Sequence, residues 1–171
     1  MPKATLAPTV VQEMNRQLNH ELSAAHAYQA LSIWCAVRNF TGFASFFATQ
    51  AGEEREHAEK MINHLIDRGV SPELTALPAP RTDLNSLLDV AFRAQTMEEA
   101  NSRGINAVYE AALAAKDYPV QVLMHWFINE QVEEEAWCDE MVDRVKNASC
   151  AGSLSDLDRQ IERHLARDAK E

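Results

Sequence analysis

Glycine and proline are scarce in this chain, and they fall mainly between segments with helical periodicity. Only 5 of the 171 residues are glycine and 6 are proline, so long uninterrupted helices are expected. Charged residues interrupt every apolar stretch before it is long enough to cross a membrane. The N-terminal residues also lack the apolar run of a secretory signal peptide. These absences favour a soluble helical protein without a membrane partner.

Basic residues and cysteines are also few. The chain has 16 Lys and Arg against 26 Asp and Glu, which gives a net charge of −10. Such a chain repels a phosphate backbone, so a nucleic-acid partner is not expected. Cys35, Cys138 and Cys150 are odd in number and have neither CxxC nor metal-finger spacing. We therefore expect reduced thiols and a cytoplasmic protein.

Five helices are predicted from the apolar periodicity and its breakers. Their approximate ranges are 8–39, 43–68, 82–116, 119–147 and 153–167. The third begins at Thr82 or Asp83, and Pro119 opens the fourth at its first position. Short turns make two antiparallel hairpins, and the proline-containing segment 70–82 is long enough to join them along the bundle. The prediction is one all-α domain over residues 1–171. Other four-helix proteins also have long crossovers, so this topology does not decide between them.

Several acidic residues lie on the helix faces that should bury apolar surface. Glu21 shares a stripe with Leu18 and Tyr28 on the first helix. Glu98 shares one with Ala94 and Ile105 on the third, whereas the adjacent Glu99 falls on a solvated face. On the second helix the inward polar residues are Gln50, Glu53, Glu54, His57 and His64. On the fourth helix they are Glu130, Gln131 and Glu134, with Glu133 at the edge of the same face.

A cluster of buried carboxylates needs a partner, because unpaired buried charges are costly and like charges repel. No Lys or Arg lies on these stripes near the cluster. Oxygen ligands with one imidazole and no thiolate suit iron or manganese better than structural zinc. Glu54 and His57 form Glu-x-x-His, whose members can reach one metal from the same helix face. That motif alone is weak, but Glu21, Glu98 and Gln131 on three other helices make a metal site the preferred interpretation.

The sequence resembles the non-haem ferritins along almost its whole length. The segments that carry the resemblance are Asn19–Leu22 with Tyr28, Gly52–His57, Glu98, Asp117–Pro119 and Trp126–Glu135. The resemblance implies a ferritin-like four-helix bundle with a long crossover and a short fifth helix lining the four-fold channel of a 24-subunit cage. It also implies Glu21, Glu54, His57 and Glu98 as iron ligands, Gln131 near the metal pair and Tyr28 beside it. Glu53, Glu130 and Glu133 match the carboxylates of a third iron site in bacterial members.

Departures from related subtypes narrow the assignment. Bacterioferritins carry a second Glu-x-x-His on the fourth helix. Here the residues three positions after Glu130 and Gln131 are Glu133 and Glu134, so no histidine ligand is available at those positions. Arg55 stands where a haem-ligating Met would be expected. We therefore expect no haem. DNA-coating mini-ferritins lack the fifth helix and place iron between subunits, unlike the arrangement predicted here.

The resemblance implies an iron-storage protein that is also a ferroxidase. Fe(II) would be oxidised by O2 or H2O2 at paired sites, with Glu54 bridging, Glu21 and His57 completing one site and Glu98 the other. Gln131 would be a weak ligand or would support the ligands, and Tyr28 would either take part in redox chemistry or pack in the core. Two alternatives remain: another carboxylate-bridged di-iron oxidase or peroxidase, and a catalytically silent structural subunit. For Glu53, Glu130 and Glu133 the alternative is a solvated helix face.

Overall fold

A computed structural model describes residues 6–148 and 150–165, which form five α-helices and no strand. The helices are α1 (Pro8–Val37), α2 (Thr41–Asp67), α3 (Leu87–Ala114), α4 (Tyr118–Asn147) and α5 (Ala151–Leu165). Packing is closest between α1 and α2 and between α3 and α4, which are the two expected hairpins. The predicted end of α5 at residues 166–167 lies outside the described residues. Within the described ranges, no helix combines the length and the apolar character needed to span a membrane.

The helix ends differ from the predicted ones where a local motif outweighs composition. α3 begins at Leu87 and not at Thr82 or Asp83, because Ser86 and Asp89 form a reciprocal capping box. α4 begins at Tyr118, one residue before Pro119, because the Asp117 carboxylate accepts from the Val120 amide at 3.2 Å. At the other ends, the left-handed residues Asn39, Gly69 and Lys116 stop α1, α2 and α3.

The crossover between α2 and α3 is extended, and it is attached to α1 by two asparagine side chains. Asn19 donates to the Glu73 carbonyl at 2.7 Å and accepts from the Thr75 amide at 2.8 Å. Asn15 accepts from the Glu73 amide at 3.0 Å. The two side chains therefore satisfy backbone groups that no neighbouring strand would pair.

The short helix α5 packs on α2 and α4 and places Leu157, Ile161 and Leu165 in the core. Its buried Asp158 accepts from the Phe43 amide at 3.0 Å, so a residue of α5 caps the first turn of α2. Gly42 makes this close approach possible, because a side chain there would overlap the carbonyl oxygen of Asp158.

The core consists of two apolar clusters at opposite ends of the bundle. One surrounds Tyr28, Phe47 and Trp137 and includes the buried face of α5, and the other surrounds Met14, Met61 and Phe127. Most of the buried polar side chains lie between these clusters along the helices: Gln17, Glu21, Glu54, His57, Glu98, Asn101, Gln131 and Glu134. This polar layer separates the two clusters, and the residues predicted for the paired-iron site lie in it.

Candidate metal centre

Glu21, Glu54 and His57 converge in the polar layer. Each offers a ligand atom, and these atoms all lie within 4.8 Å of one another. His57 Nδ1 is 3.2 Å from Glu54 Oε2 and 3.9 Å from Glu21 Oε2. The exposed fractions of Glu21, Glu54 and His57 are 0%, 1% and 5%. Among the described residues this is the group of three whose side chains have metal-binding geometry.

Glu98 enters the same layer from α3 and is held by two hydrogen bonds. Tyr28 donates its hydroxyl proton to Glu98 Oε1. Gln131 Nε2 lies 3.2 Å from Glu98 Oε2 and also donates to Ser102 Oγ at 3.1 Å. The adjacent Glu99 is exposed, so the helical period selects Glu98 correctly as the inward carboxylate of the pair.

Burial and the repulsion between neighbouring carboxylates shift the pKa values of side chains in this layer. Burial, followed by the negative charges of Glu98 and Glu21, raises the pKa of Glu54 well above its usual range. Burial also lowers the pKa of His57, although Glu21 opposes that effect. The imidazole is therefore held neutral, which is the form that coordinates metals. No Lys or Arg is among the buried residues of the described ranges, so a cation is the partner that the carboxylates lack.

Glu134 is a buried member of the layer to which the sequence patterns assigned no role. Its exposed fraction is 4%, and Trp137 donates its indole Nε1–H to it. Burial and the charge of Glu98, followed by Glu53 and Glu130, raise the pKa of Glu134 well above normal. Glu134 is therefore near Glu98 and near two of the acids predicted for a third site, Glu53 and Glu130. Its position on the same arc as Gln131 was the signal that could have assigned it.

The predicted third set is less closely gathered. Glu53, Glu130 and Glu133 are half-buried, and Gln50 donates to Glu53 Oε2 at 2.7 Å. Glu53 and Glu130 are close enough to Glu134 to affect its pKa. Their carboxylates do not form a group of the kind that Glu21, Glu54 and His57 form. Their role in holding iron stays a prediction.

His64 lies on the inward face of α2, where a buried ring nitrogen would be expected to have a hydrogen-bond partner. Its side chain is half-buried, and its buried Nε2 has no hydrogen-bond partner among the described residues. The helical period places His64 on the inward stripe of α2 but cannot show whether a donor or acceptor faces its ring.

Comparison with known proteins agrees with this fold. The sequence profile of the ferritin family, described as a ferritin-like domain, matches residues 11–148. A bacterial non-heme ferritin of Staphylococcus aureus is 40% identical over 131 residues, covering 77% of this chain and 79% of the relative. One from Staphylococcus haemolyticus is 36% identical over 138 residues, covering 81% and 83%.

Solved ferritin structures have the same fold. An open-pore ferritin of the archaeon Archaeoglobus fulgidus matches with a TM-score of 0.89 and 26% identity, over 96% of this chain and 100% of that one. Apo-ferritin from Pseudo-nitzschia multiseries matches with a TM-score of 0.87 and 29% identity, over 90% and 98%. This chain is an all-α ferritin-like bundle, and it belongs to the ferritin family. The fold predicted from the sequence is confirmed.

Proposed function

We propose that the protein stores iron and oxidises Fe(II) to Fe(III) at a di-iron centre within each subunit. The observation that carries this proposal is the convergence of Glu21, Glu54 and His57 in a buried layer that contains no cationic side chain. Carboxylates with one imidazole form a ligand set suited to iron or manganese. Membership of the ferritin family supports iron as the metal.

Each ligand has a role that follows from its surroundings. Glu54 would bridge two iron ions, as the resemblance to the family implies, and Glu98 and Glu21 lie close enough to raise its pKa. Glu21 and His57 would complete one position, and Glu98 would complete the other with Gln131 as a weak ligand or as a hydrogen-bond partner of Glu98. To these predicted residues we add Glu134, which stands beside Glu98. Tyr28 orients Glu98 through its hydroxyl, and its redox role remains a prediction.

The chemistry needs a site that stabilises Fe(III) more than Fe(II). Anionic oxygen ligands do this and so favour the loss of an electron from each iron. Two Fe(II) ions together supply the two electrons that reduce O2 to H2O2, or H2O2 to water, with protons taken from solvent. Both oxidants are consistent with the site. Glu53, Glu130 and Glu133 would hold Fe(III) on its way to a ferric oxyhydroxide mineral.

We further propose assembly into a homo-oligomeric cage of 24 subunits in the cytoplasm. The resemblance to cage-forming ferritins supports assembly, whereas the apolar face of α5 is already buried within the subunit. The three cysteines are free thiols, as suits a reducing compartment. No haem is proposed, because Arg55 stands where a haem-ligating Met would be expected; a Soret band in haem-supplied protein would contradict this.

Rapid mixing of apo-protein with Fe(II) and O2, followed by the absorbance of the ferric product, tests the catalytic proposal. Glu54→Ala and His57→Ala are expected to abolish the fast phase while leaving the fold and assembly intact. Glu99→Ala is the matched control, because Glu99 is exposed on α3 beside Glu98. Wild-type rates in either site variant would contradict the assignment, and a wild-type protein with no fast phase would favour a silent structural subunit. Light scattering that showed a monomer or dimer would contradict the cage and would favour another di-iron enzyme.

A further inference from the structure

Three buried amides lie in the polar layer beside the predicted carboxylate ligands: Gln17 on α1, Asn101 on α3 and Gln131 on α4. Gln131 was predicted from the sequence to lie near the metal pair. Gln17 and Asn101 have no role in the proposed chemistry, yet their exposed fractions are 0% and 1%. Burying a primary amide is unfavourable unless its donors and acceptor are satisfied. Their hydrogen bonds therefore need an explanation.

Both oxygens of Glu21 accept from these amides. Gln17 Nε2 donates to Glu21 Oε1 at 2.8 Å, and Asn101 Nδ2 donates to Glu21 Oε2 at 3.1 Å. Gln17 Nε2 also donates to Asn101 Oδ1 at 2.6 Å. Two amides from different helices thus hold the Glu21 carboxylate at both of its oxygens and restrict its rotation.

The chain of amides continues to the other side of the centre. Asn101 Nδ2 lies 3.4 Å from Gln131 Oε1, and Gln131 Nε2 donates to Glu98 Oε2 at 3.2 Å. An ionised carboxylate only accepts, so each amide must turn its NH2 group toward the acids. Each carbonyl except one then accepts from another amide. The exception is Gln17 Oε1, which lies 3.4 Å from Nη1 of the exposed Arg16 side chain.

Neutral amide donors are suited to orienting a carboxylate that must bind a cation. A lysine or arginine in the same place would orient Glu21 but would also cancel the negative charge that attracts a cation. An amide fixes the direction of the carboxylate and leaves that charge in place. A carboxylate oxygen that accepts one hydrogen bond still has a lone pair available for a metal ion.

Gly104 on α3 provides the space for the Gln17 amide. A side chain at this position would overlap Gln17 Oε1, and the Gly104 carbonyl accepts from Arg16 Nη2 at 2.9 Å. The location of the Gln17 amide therefore depends on a residue of the neighbouring hairpin that has no polar side chain of its own.

We propose that Gln17 and Asn101 are positioning residues, which hold Glu21 in the orientation that the first divalent cation requires. This inference rests on the proposed function, because it takes Glu21 as a ligand. Neither residue is proposed to touch the metal ion. Hydrogen-bond partners of metal ligands typically change metal affinity or activity by about 10–100-fold when they are removed.

Co(II) alone, added to the assembled apo-protein, is the probe, because its visible absorption reports both binding and ligand geometry. Gln17→Met and Asn101→Leu conserve approximate volume and remove the donors to Glu21. Each is expected to weaken the binding of the first Co(II) per subunit by roughly 10-fold or more and to alter its absorption spectrum. Asn19→Leu is the matched control, because Asn19 binds the crossover backbone. Its Co(II) affinity and spectrum should equal those of the wild type.

Gly104→Ala tests whether the position of the Gln17 amide matters when the amide itself is unchanged. It leaves every amide in the chain but should push the Gln17 head away from Glu21, so weaker Co(II) binding is expected here too. It also keeps the inference falsifiable if a Gln17 or Asn101 variant does not assemble. Wild-type affinity and spectrum in the variants that assemble would overturn the inference and leave the proposed function standing. A wild-type protein that binds no Co(II) would overturn the proposed function and the inference with it.

Discussion

The docking of α5 on α2 leads to a quantitative prediction at Gly42. An alanine Cβ there would overlap the carbonyl oxygen of Asp158 and would lie 3.3 Å from Ile161 Cγ2. The carbonyl belongs to a helix backbone and cannot rotate away, so Gly42→Ala must shift α5 as a unit. Overpacking of this kind costs about 1–3 kcal/mol.

Complete undocking of α5 would cost more than this strain. It would expose Leu157, Ile161 and Leu165, each worth about 1.5–3 kcal/mol when fully buried. It would also remove the Asp158 cap from the Phe43 amide, a loss of about 0.5–2 kcal/mol. We therefore expect α5 to remain docked but displaced, with faster hydrogen exchange in its amides.

Gly52 on the same helix provides the matched control, because a Cβ there meets no atom within 4 Å. Gly52→Ala should stabilise α2 by up to about 1 kcal/mol through helix propensity. The two variants should thus differ by roughly 1–4 kcal/mol, which is about 2–16 °C in thermal midpoint for a chain of this size. Scanning calorimetry at one protein concentration and one scan rate measures the difference. A Gly42→Ala midpoint equal to or above that of Gly52→Ala would refute the reasoning.

Two other predictions concern the third iron site and an ion pair. Glu130→Ala should leave the first fast phase of Fe(II) oxidation intact and change the turnover or the iron-to-oxygen stoichiometry that follows. Loss of the first phase would place Glu130 in the primary centre, and no change in either phase would mean that the α4 acids are a solvated face. Arg68, at 3.0 and 2.9 Å from the two oxygens of Asp117, lowers the pKa of that carboxyl. A lowered pKa adds stability that is present above the ordinary pKa of Asp and is lost as the pH falls through the lowered value. Denaturant unfolding should therefore show wild type more stable than Asp117→Asn at pH 7, with Asn retained as a cap, and the difference should shrink on acidification; a constant difference would contradict the ion-pair explanation.

The local patterns of the sequence determined which faces of the helices turn inward. Helical period placed Glu21, Glu54 and Glu98 on inward faces and separated Glu98 from the exposed Glu99, and all three are buried. The scarcity of glycine and proline, the two short turns and the long crossover determined the helix count and the hairpins. These properties depend on spacing within one helix or one loop, so a linear sequence contains them.

Contacts between helices were decided only in the tertiary structure. The sequence does not show that Asp158 caps a helix 115 residues away, nor that Gly104 makes room for Gln17. The sequence also gives no reason to assign Glu134, Gln17 or Asn101 a role at the metal site. Helical period gives the direction of a side chain around its own axis. The partner that the side chain meets depends on the height and rotation of neighbouring helices, which are set when the two apolar clusters pack around the polar layer.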